Sequence, residues 1–300
     1  MTVGDSPTGR RALLAAVPTA LCGLSGCAGV LGGSPSVSLL VAGSLNNAVE
    51  NGLRSAVDAR LQPEAYGSAV VARLVADGRK DPDIVSLADV ALFDALLSAE
   101  WVAEFATNAL VVVYNPETAA GERLANGAPW YDVLLEDDTS LGRTDPDLDP
   151  LGYRTLFCLD LATDYYGTDL DLREAIPGPD QRYPETQLVS QFETGAIDAA
   201  VVYRNMATER GYDYVDLPAE IDLSDPTLTE RYGATSYELP DGTVVSGDVI
   251  SYGSTLRHES QRTREVFEAH ITGEYLTEFG FTVPDDYPRY TGNVPESITN

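Results

Sequence analysis

The sequence has few basic side chains, and Lys80 is its only lysine. Nineteen lysine and arginine residues stand against 47 aspartate and glutamate residues, giving a formal net charge of −28. Nothing resembles a basic stripe, so nucleic acid is not expected as a partner. An acidic excess spread along the chain indicates adaptation to high salt, because the Debye length near 1 M is only about 3 Å. A hydrophobic fraction of 44% argues against a disordered acidic chain.

Histidine and cysteine are also scarce, with two and three residues. His258 and His270 lie far from the motifs described below and are predicted to be surface residues. Neither is therefore expected to serve as the general base of a Ser-His-Asp triad. The sequence contains no G-x-S-x-G, P-loop or H-E-x-x-H motif. The chain is therefore predicted not to be an enzyme; an exported enzyme and a structural surface lipoprotein are the weaker alternatives. No disulfide framework is expected, and Cys158 is predicted to lie in the core.

The N-terminal segment has the features of an export signal. Arg10-Arg11 precedes an apolar run that is too short for a stable membrane span. The run ends in Leu24-Ser25-Gly26-Cys27, which resembles the lipidation site of a lipoprotein. Residues 1–26 are predicted to be a twin-arginine lipoprotein signal, and residues 27–35 a lipidated cysteine and linker. The protein would then be lipid-anchored at the extracellular face of the cell membrane, unless the signal is an ordinary one and Cys27 is incidental.

The rest of the chain alternates strands and helices, which predicts an α/β fold rich in parallel strands. Strands are expected at 37–42, 83–87, 109–114, near 141, at 197–203 and at 249–254, and helices at 45–61, 68–76, 89–97, 130–135, 151–166, 187–194 and 259–279. The chain leaves one α/β unit, builds a second and returns for a final helix. Residues 36–112 plus 246–300 are therefore predicted to form lobe 1 and residues 113–245 lobe 2, with a ligand cleft between the lobes.

Several predicted helices begin with residues suited to binding an anion. Asp149 has the properties of an N-cap and is followed by Pro150 at the first helical position. Ser44, Ser68 and Tyr203 stand at comparable starts of helices. Such ends present free backbone N–H groups and the positive end of the helix dipole. These residues could converge on one small anion, or they could be plain helix caps and, for Tyr203, an interface side chain.

Four motifs resemble those of a known family. They are Ala42-Gly43-Ser44-Leu45, Gly67-Ser68, Asp149-Pro-Leu-Gly-Tyr-Arg154 and the stretch 195–204. They occur in the same order in archaeal tungstate/molybdate-binding proteins, the substrate-binding lipoproteins of ABC importers, and the similarity extends over nearly all of the mature chain. The resemblance implies a two-lobed periplasmic-binding-protein fold of type II that closes on one oxyanion.

The resemblance also assigns roles to residues. Ser44 and Ser68 would donate hydrogen bonds to the oxyanion, the Asp149 carboxylate would lie close to its metal atom, and Tyr203 would lie at the rim or contact the ligand. In some members a glutamate directly precedes this tyrosine and makes the metal six-coordinate, whereas here that place is held by Val202. Arg154 is predicted to brace the loop through Asp145 or Asp147 rather than to touch the ligand.

The expected partners follow from the same family. They are tungstate or molybdate, a membrane permease and an ATPase, with no cofactor besides the ligand and with the protein itself a monomer. Sulfate or phosphate is the alternative ligand.

Overall fold

The computed structural model describes residues 36–299. The twin-arginine pair, Cys27 and the linker lie outside the described residues. Within residues 36–299, no helix is long and apolar enough to span a membrane.

Most of the described chain forms short strands and helices. The strands are β1 Ser36–Ala42, β2 Arg60–Tyr66, β3 Ile84–Leu87, β4 Trp101–Thr107, β5 Leu110–Tyr114, β6 Leu141–Thr144, β7 Arg182–Tyr183, β8 Ala199–Tyr203, β9 Tyr214–Asp216, β10 Ser236–Glu238, β11 Val244–Ser246, β12 Ser251–Leu256 and β13 Arg289–Gly292. The α-helices are α1 Arg54–Ala56, α2 Ser68–Ala76, α3 Ala119–Ala125, α4 Trp130–Leu134, α5 Pro150–Tyr166, α6 Leu172–Ala175, α7 Glu185–Glu193, α8 Arg204–Thr208, α9 Ala219–Asp222, α10 Thr229–Tyr232, α11 Gln261–Thr272, α12 Tyr275–Glu278 and α13 Glu296–Thr299. Shorter or wider helical turns cover Gly43–Leu45, Ala48–Leu53, Phe93–Leu97, Pro179–Gln181 and Pro226–Leu228.

The strands form two mixed sheets and one hairpin. The first sheet has the order β13-β4-β12-β3-β1-β2, and the second has the order β7-β6-β8-β5-β9. In the first sheet β1 is parallel to β2 and β3, and β12 runs antiparallel to β3 and β4. In the second sheet β8 is parallel to β6 and antiparallel to β5. The two sheets confirm the predicted two-lobed α/β fold of type II.

The central strands β1 and β5 are apolar and largely buried. In β5 the residues Leu110 to Val113 are all buried, and β1 is buried over its C-terminal half. A continuous apolar run of this kind is typical of a strand covered on both sides. The hydrophobic pattern therefore predicts these strands. The turn after β1 carries Ser44, one of the predicted site residues.

The chain passes between the sheets twice, and the two crossings touch. The first lies at Asn108 and Ala109, between β4 and β5, and the second at Val249 and Ile250, before β12. The Asn108 N–H donates to the carbonyl of Ile250 at 3.0 Å. The expected lobe boundary after residue 112 falls inside β5, a strand of the second sheet.

Some predicted elements differ from the structure. The helix expected to run to residue 61 ends at Ala56, and β2 follows it as the edge strand of the first sheet. Strand β2 carries Pro63 and several polar residues, features that an edge strand tolerates and that hide it from a hydrophobic pattern. Strand β4 was also not predicted. The helix expected at 259–279 is interrupted at Gly273, whose backbone is extended, and resumes as α12.

His270 is not the predicted surface residue, because its side chain is fully buried. One ring nitrogen, Nε2, lies 2.9 Å from the Ser86 hydroxyl, and the other, Nδ1, lies 2.7 Å from the Tyr275 hydroxyl. The neutral ring is thus hydrogen-bonded on both sides, and burial lowers its pKa to about 4. Cys158 lies in the core, as predicted.

Candidate functional site

The four predicted site residues lie at ends of strands and helices that face the space between the sheets. Ser44 lies in the turn after β1, Ser68 is the first residue of α2, Asp149 is the N-cap of α5, and Tyr203 ends β8. All four side chains are at most 3% exposed. The structure therefore has these residues at the starts and ends of elements where the sequence placed them. Tyr203, which was expected at the rim or in contact with ligand, is completely buried.

A chain of hydrogen bonds orients the Ser44 hydroxyl. The Asn108 amide donates to the Tyr252 hydroxyl at 3.3 Å, and that hydroxyl donates to Ser44 Oγ at 3.0 Å. Because Ser44 Oγ accepts from Tyr252, its own proton is free to point away from Tyr252. On the other side of this turn, the Asn205 amide of α8 donates to the Ser44 carbonyl at 3.0 Å and holds the turn in place.

Glu185, a residue that the sequence analysis missed, lies against the turn that carries Ser44. Glu185 is the first residue of α7 and is 5% exposed. Its carboxyl group lies beside the Ser44 side chain and the Gly43 backbone, and both favour its ionised form. The contact with Gly43 is so close that a Cβ atom there would collide with the carboxyl group. Pro184 at the N-cap, followed by an acidic first turn, is a helix-start signal that could have revealed the position.

Glu185 also pairs with Asp149. Their carboxyl groups are close enough to affect each other's pKa. Burial raises the pKa of both groups, which favours a proton on the pair. Within residues 36–299, Asp149 Oδ2 and Glu185 Oε1 have no N–H or O–H donor from another group.

Asp149 is held at the start of α5, close to the start of α2. Its Oδ1 accepts from the Leu151 N–H at 2.7 Å, so the predicted N-cap is confirmed. A Cβ atom on Gly67 would lie 2.5 Å from the Leu148 carbonyl and 2.8 Å from Asp149 Oδ2, which only glycine avoids. Gly67 thus lets the N-terminal ends of α2 and α5 approach each other.

Arg154 does not brace the loop at Asp145 or Asp147, and that prediction is wrong. It lies inside the site, where it donates to the Ala88 carbonyl at 2.5 Å and to the Tyr203 hydroxyl at 2.9 Å. The Ala88 N–H in turn donates to Ser68 Oγ at 2.9 Å, which leaves the Ser68 proton free to donate elsewhere. Ser68, Arg154 and Tyr203 are thereby linked through one backbone segment.

Val202 directly precedes Tyr203, the place where the family resemblance allows a second carboxylate. It is a buried residue of β8 and contributes an apolar side chain. The second acidic group close to Asp149 in this chain is Glu185, which comes from α7.

A cavity of about 110 Å³ adjoins the two acidic side chains. Asp149 and Glu185 line its inner end, and Tyr66 and Leu148, 39% and 44% exposed, line its outer part. The site therefore contains hydroxyl donors, two helix N-termini and a pair of acidic groups beside an opening to solvent. Within residues 36–299, no group of three or more His, Cys, Asp or Glu side chains is arranged to hold a metal cation. The arrangement is suited to a small anion.

This architecture is that of an extracellular solute-binding protein. The chain belongs to the family described as "Bacterial extracellular solute-binding protein", which it matches over residues 41–241, a range that includes all four predicted site residues. The family is one of solute-binding proteins rather than enzymes, as the sequence predicted.

Two curated relatives are similar over most of their length. The chain is 52% identical to the "Putative ABC transporter molybdenum-binding protein" of Haloferax volcanii, over 97% of this chain and 98% of that protein. It is 30% identical to the "Molybdate/tungstate-binding protein WtpA" of Thermococcus kodakarensis, over 80% of this chain and 77% of that protein.

Solved structures share the fold at low sequence identity. The periplasmic molybdate-binding protein of Azotobacter vinelandii superposes with a TM-score of 0.58 at 12% identity, covering 83% of this chain and all of that one. The sulfate-binding protein SubI of Mycobacterium tuberculosis also gives a TM-score of 0.58, at 15% identity, over 84% of this chain and 88% of that one. These likenesses support the two-lobed fold.

Proposed function

We propose that this protein captures tungstate or molybdate outside the cell and delivers it to the permease and ATPase of an ABC importer. The proposal is supported by the family and by the names of the two relatives, which mention molybdenum, molybdate and tungstate. It is also supported by the site, whose donors and helix ends suit a small oxyanion.

The observation that carries the proposal is the presence of oriented hydroxyl donors beside helix N-termini. The Ser44 and Ser68 hydroxyls each accept a hydrogen bond from behind, so their protons remain available to a ligand. The N-termini of α2 and α5, helices of nine and 17 residues, meet at Gly67 and add the positive ends of two dipoles. An oxyanion that accepts several hydrogen bonds fits such a group.

Asp149 is the residue expected to approach the metal atom. A carboxylate beside a dianion is unfavourable unless its oxygen faces the electropositive centre. Tungsten and molybdenum can bind more than four oxygen atoms, whereas sulfur in sulfate cannot. A carboxylate in the site therefore favours a metal oxyanion over sulfate or phosphate.

The remaining parts of the proposal rest on the sequence. The twin-arginine signal and Cys27 support export and lipid anchoring, and the charge of −28 supports work in high salt. The protein is proposed to act as a monomer, with no cofactor besides its ligand and no nucleic-acid partner.

Calorimetric titration of the mature protein in molar salt tests the proposal. Molybdate, tungstate, sulfate and phosphate are the ligands, and Ser44→Ala, Ser68→Ala and the exposed Ser55→Ala are the variants. Tungstate and molybdate should bind to the wild type. Each site variant should weaken binding about tenfold or more, because a hydrogen bond to a charged group contributes about 1.5–3 kcal/mol. Ser55→Ala should bind as the wild type does.

Two results would contradict the proposal. Tighter binding of sulfate or phosphate than of both metal oxyanions would assign the site to the alternative ligand. Absence of binding by any oxyanion to the folded protein would remove the function altogether.

A further inference from the structure

The Glu185 side chain lies at the turn whose Ser44 is proposed to bind the oxyanion. Its carboxyl group is packed against Gly43, where it leaves no room for a Cβ atom, and it lies beside Ser44 and Asp149. The Tyr252 hydroxyl, held by the Asn108 amide, donates to Ser44 Oγ, so the Ser44 proton is available to an acceptor on another side. A carboxyl group and a tetrahedral oxyanion are both small groups of oxygen acceptors, so the same donors suit both.

We propose that the Glu185 side chain is an internal ligand, which fills the oxyanion site and must be withdrawn before the external anion can bind. This inference rests on the proposed function of the same site. It adds a competing residue that neither the motifs of the sequence nor the relatives' names assign.

Space and charge both favour displacement over joint occupancy. A Cβ atom on Gly43 would collide with the Glu185 carboxyl group, so a second oxygen acceptor has no room against Gly43 while Glu185 remains there. A dianion beside the Asp149 and Glu185 pair would also add negative charge to a buried acidic site.

The structure offers the displaced side chain a place to go. Glu185 lines the cavity of about 110 Å³, which also reaches the partly exposed Tyr66 and Leu148. A water molecule takes about 30 Å³ of liquid volume, so the cavity has room for a carboxylate and water. Rotation of the side chain towards this cavity would free the Gly43 and Ser44 donors without moving α7.

The test compares oxyanion binding by Glu185→Ala, Glu185→Gln and the wild type. Glu122→Gln is the matched control, since it removes one negative charge from an exposed position in the first turn of another helix. Calorimetry with molybdate and with tungstate, in molar salt, gives the dissociation constants, and circular dichroism verifies that each variant is folded. Glu185→Ala should bind both anions at least tenfold more tightly than the wild type. Glu185→Gln, whose amide oxygen can still accept from Ser44, should show a smaller gain, and Glu122→Gln should show none.

Three other results would overturn the inference, and they can be distinguished from one another. Binding that is unchanged in Glu185→Ala, with a functional wild type, means that the side chain does not compete, and the proposed function stands. Binding that is tenfold weaker in both Glu185 variants means that this residue contacts the bound anion, which also leaves the function intact. If no oxyanion binds to the wild type or to any folded variant, the proposed function fails and this inference fails with it. If Glu185→Ala binds the oxyanions and the wild type does not, the result supports both the proposed function and the inference about Glu185.

Discussion

Arg154 and Asp89 form an ion pair of 3.4 Å inside the candidate site. Arg154 belongs to α5, which packs on β6 and β8 of the second sheet, and Asp89 follows β3 of the first sheet. Their side chains are only 4% and 11% exposed. The Tyr153 hydroxyl adds a hydrogen bond of 2.5 Å to the same Asp89 carboxylate. Two neighbouring residues of one helix therefore tie the second sheet to the first within the candidate site.

Replacing Arg154 should destabilise the protein strongly. In Arg154→Met the Asp89 carboxylate would remain largely buried without its cation, and loss of one partner of a buried pair costs about 3–5 kcal/mol. Denaturant unfolding at neutral pH measures the change in the free energy of unfolding.

The control for this prediction is Arg54→Met. Arg54 pairs with Glu50 on the surface, where both side chains are about 40% exposed. Such pairs contribute about 1 kcal/mol or less. An equal loss of stability in both variants would show that the buried position of Arg154 is not what makes its pair matter.

His270 should make the fold sensitive to mild acid. Burial lowers its pKa from 6.5 to about 4, so the unfolded chain binds a proton more readily than the folded protein. The stabilising contribution is complete above pH 6.5 and is lost as the pH falls from 6.5 to about 4. At 1.36 kcal/mol per pKa unit the loss is about 3 kcal/mol.

The prediction is measured as a difference between proteins, because many carboxyl groups titrate in the same range. Stability of the wild type should fall more steeply between pH 6.5 and 4 than that of His270→Gln. His258→Gln, which alters an exposed histidine beside Asp81, should follow the wild type. Parallel curves for the wild type and His270→Gln would refute the role of His270.

The parts of the site that the sequence predicted are those with local signals. Asp149, Pro150 and the closing Gly167 define α5 within one stretch, and the structure has the N-cap and the left-handed C-cap at those residues. The capping interactions join residues that are close in sequence, so the local sequence is enough to predict them. The predicted positions of Ser44 and Ser68 at the starts of helical segments have the same origin.

The parts that were missed depend on contacts between distant segments. Arg154 meets the Ala88 carbonyl 66 residues away, and no local pattern distinguishes that contact from a contact with the nearby Asp145. Pro184 and Glu185 carry a local helix-start signal, but burial of the Glu185 carboxyl group depends on its contact with Gly43, far away in the sequence. His270 is polar within an amphipathic helix, and its partner Ser86 is 184 residues away. Pairing of buried polar groups is decided by the tertiary fold, so the sequence pattern alone did not reveal it.

Cys27 should anchor the mature protein. The residue lies outside the described part of the chain, and the prediction rests on Leu24-Ser25-Gly26-Cys27 behind Arg10-Arg11. A single acyl chain binds membranes only weakly, so a lipid with two chains is implied. Cys27→Ser should release the exported protein into the medium, as immunoblots of membrane and medium fractions would show. Retention of the variant in the membrane fraction would refute the anchor.

Asp149 should act as the selectivity element of the site. A carboxylate about 4 Å from a dianion costs roughly 8 kcal/mol at an effective dielectric constant near 20, twice the value for two unit charges. Each helix N-terminus offsets at most about 2 kcal/mol of this cost. A metal oxyanion can avoid it by taking the carboxylate oxygen towards its metal atom, and sulfate cannot. Loss of the carboxylate should therefore weaken tungstate and molybdate and admit sulfate.

Two substitutions separate this role from helix capping. Asparagine can still accept from the Leu151 N–H, so Asp149→Asn keeps the cap and removes the negative charge. Asp149→Ala removes both and should lose about 1 kcal/mol of stability as well. Both variants should bind sulfate in calorimetric titrations and bind tungstate more weakly than the wild type. If Asp149→Asn discriminates between tungstate and sulfate as the wild type does, the charge is not the source of selectivity. Asp149 is then only the cap of α5.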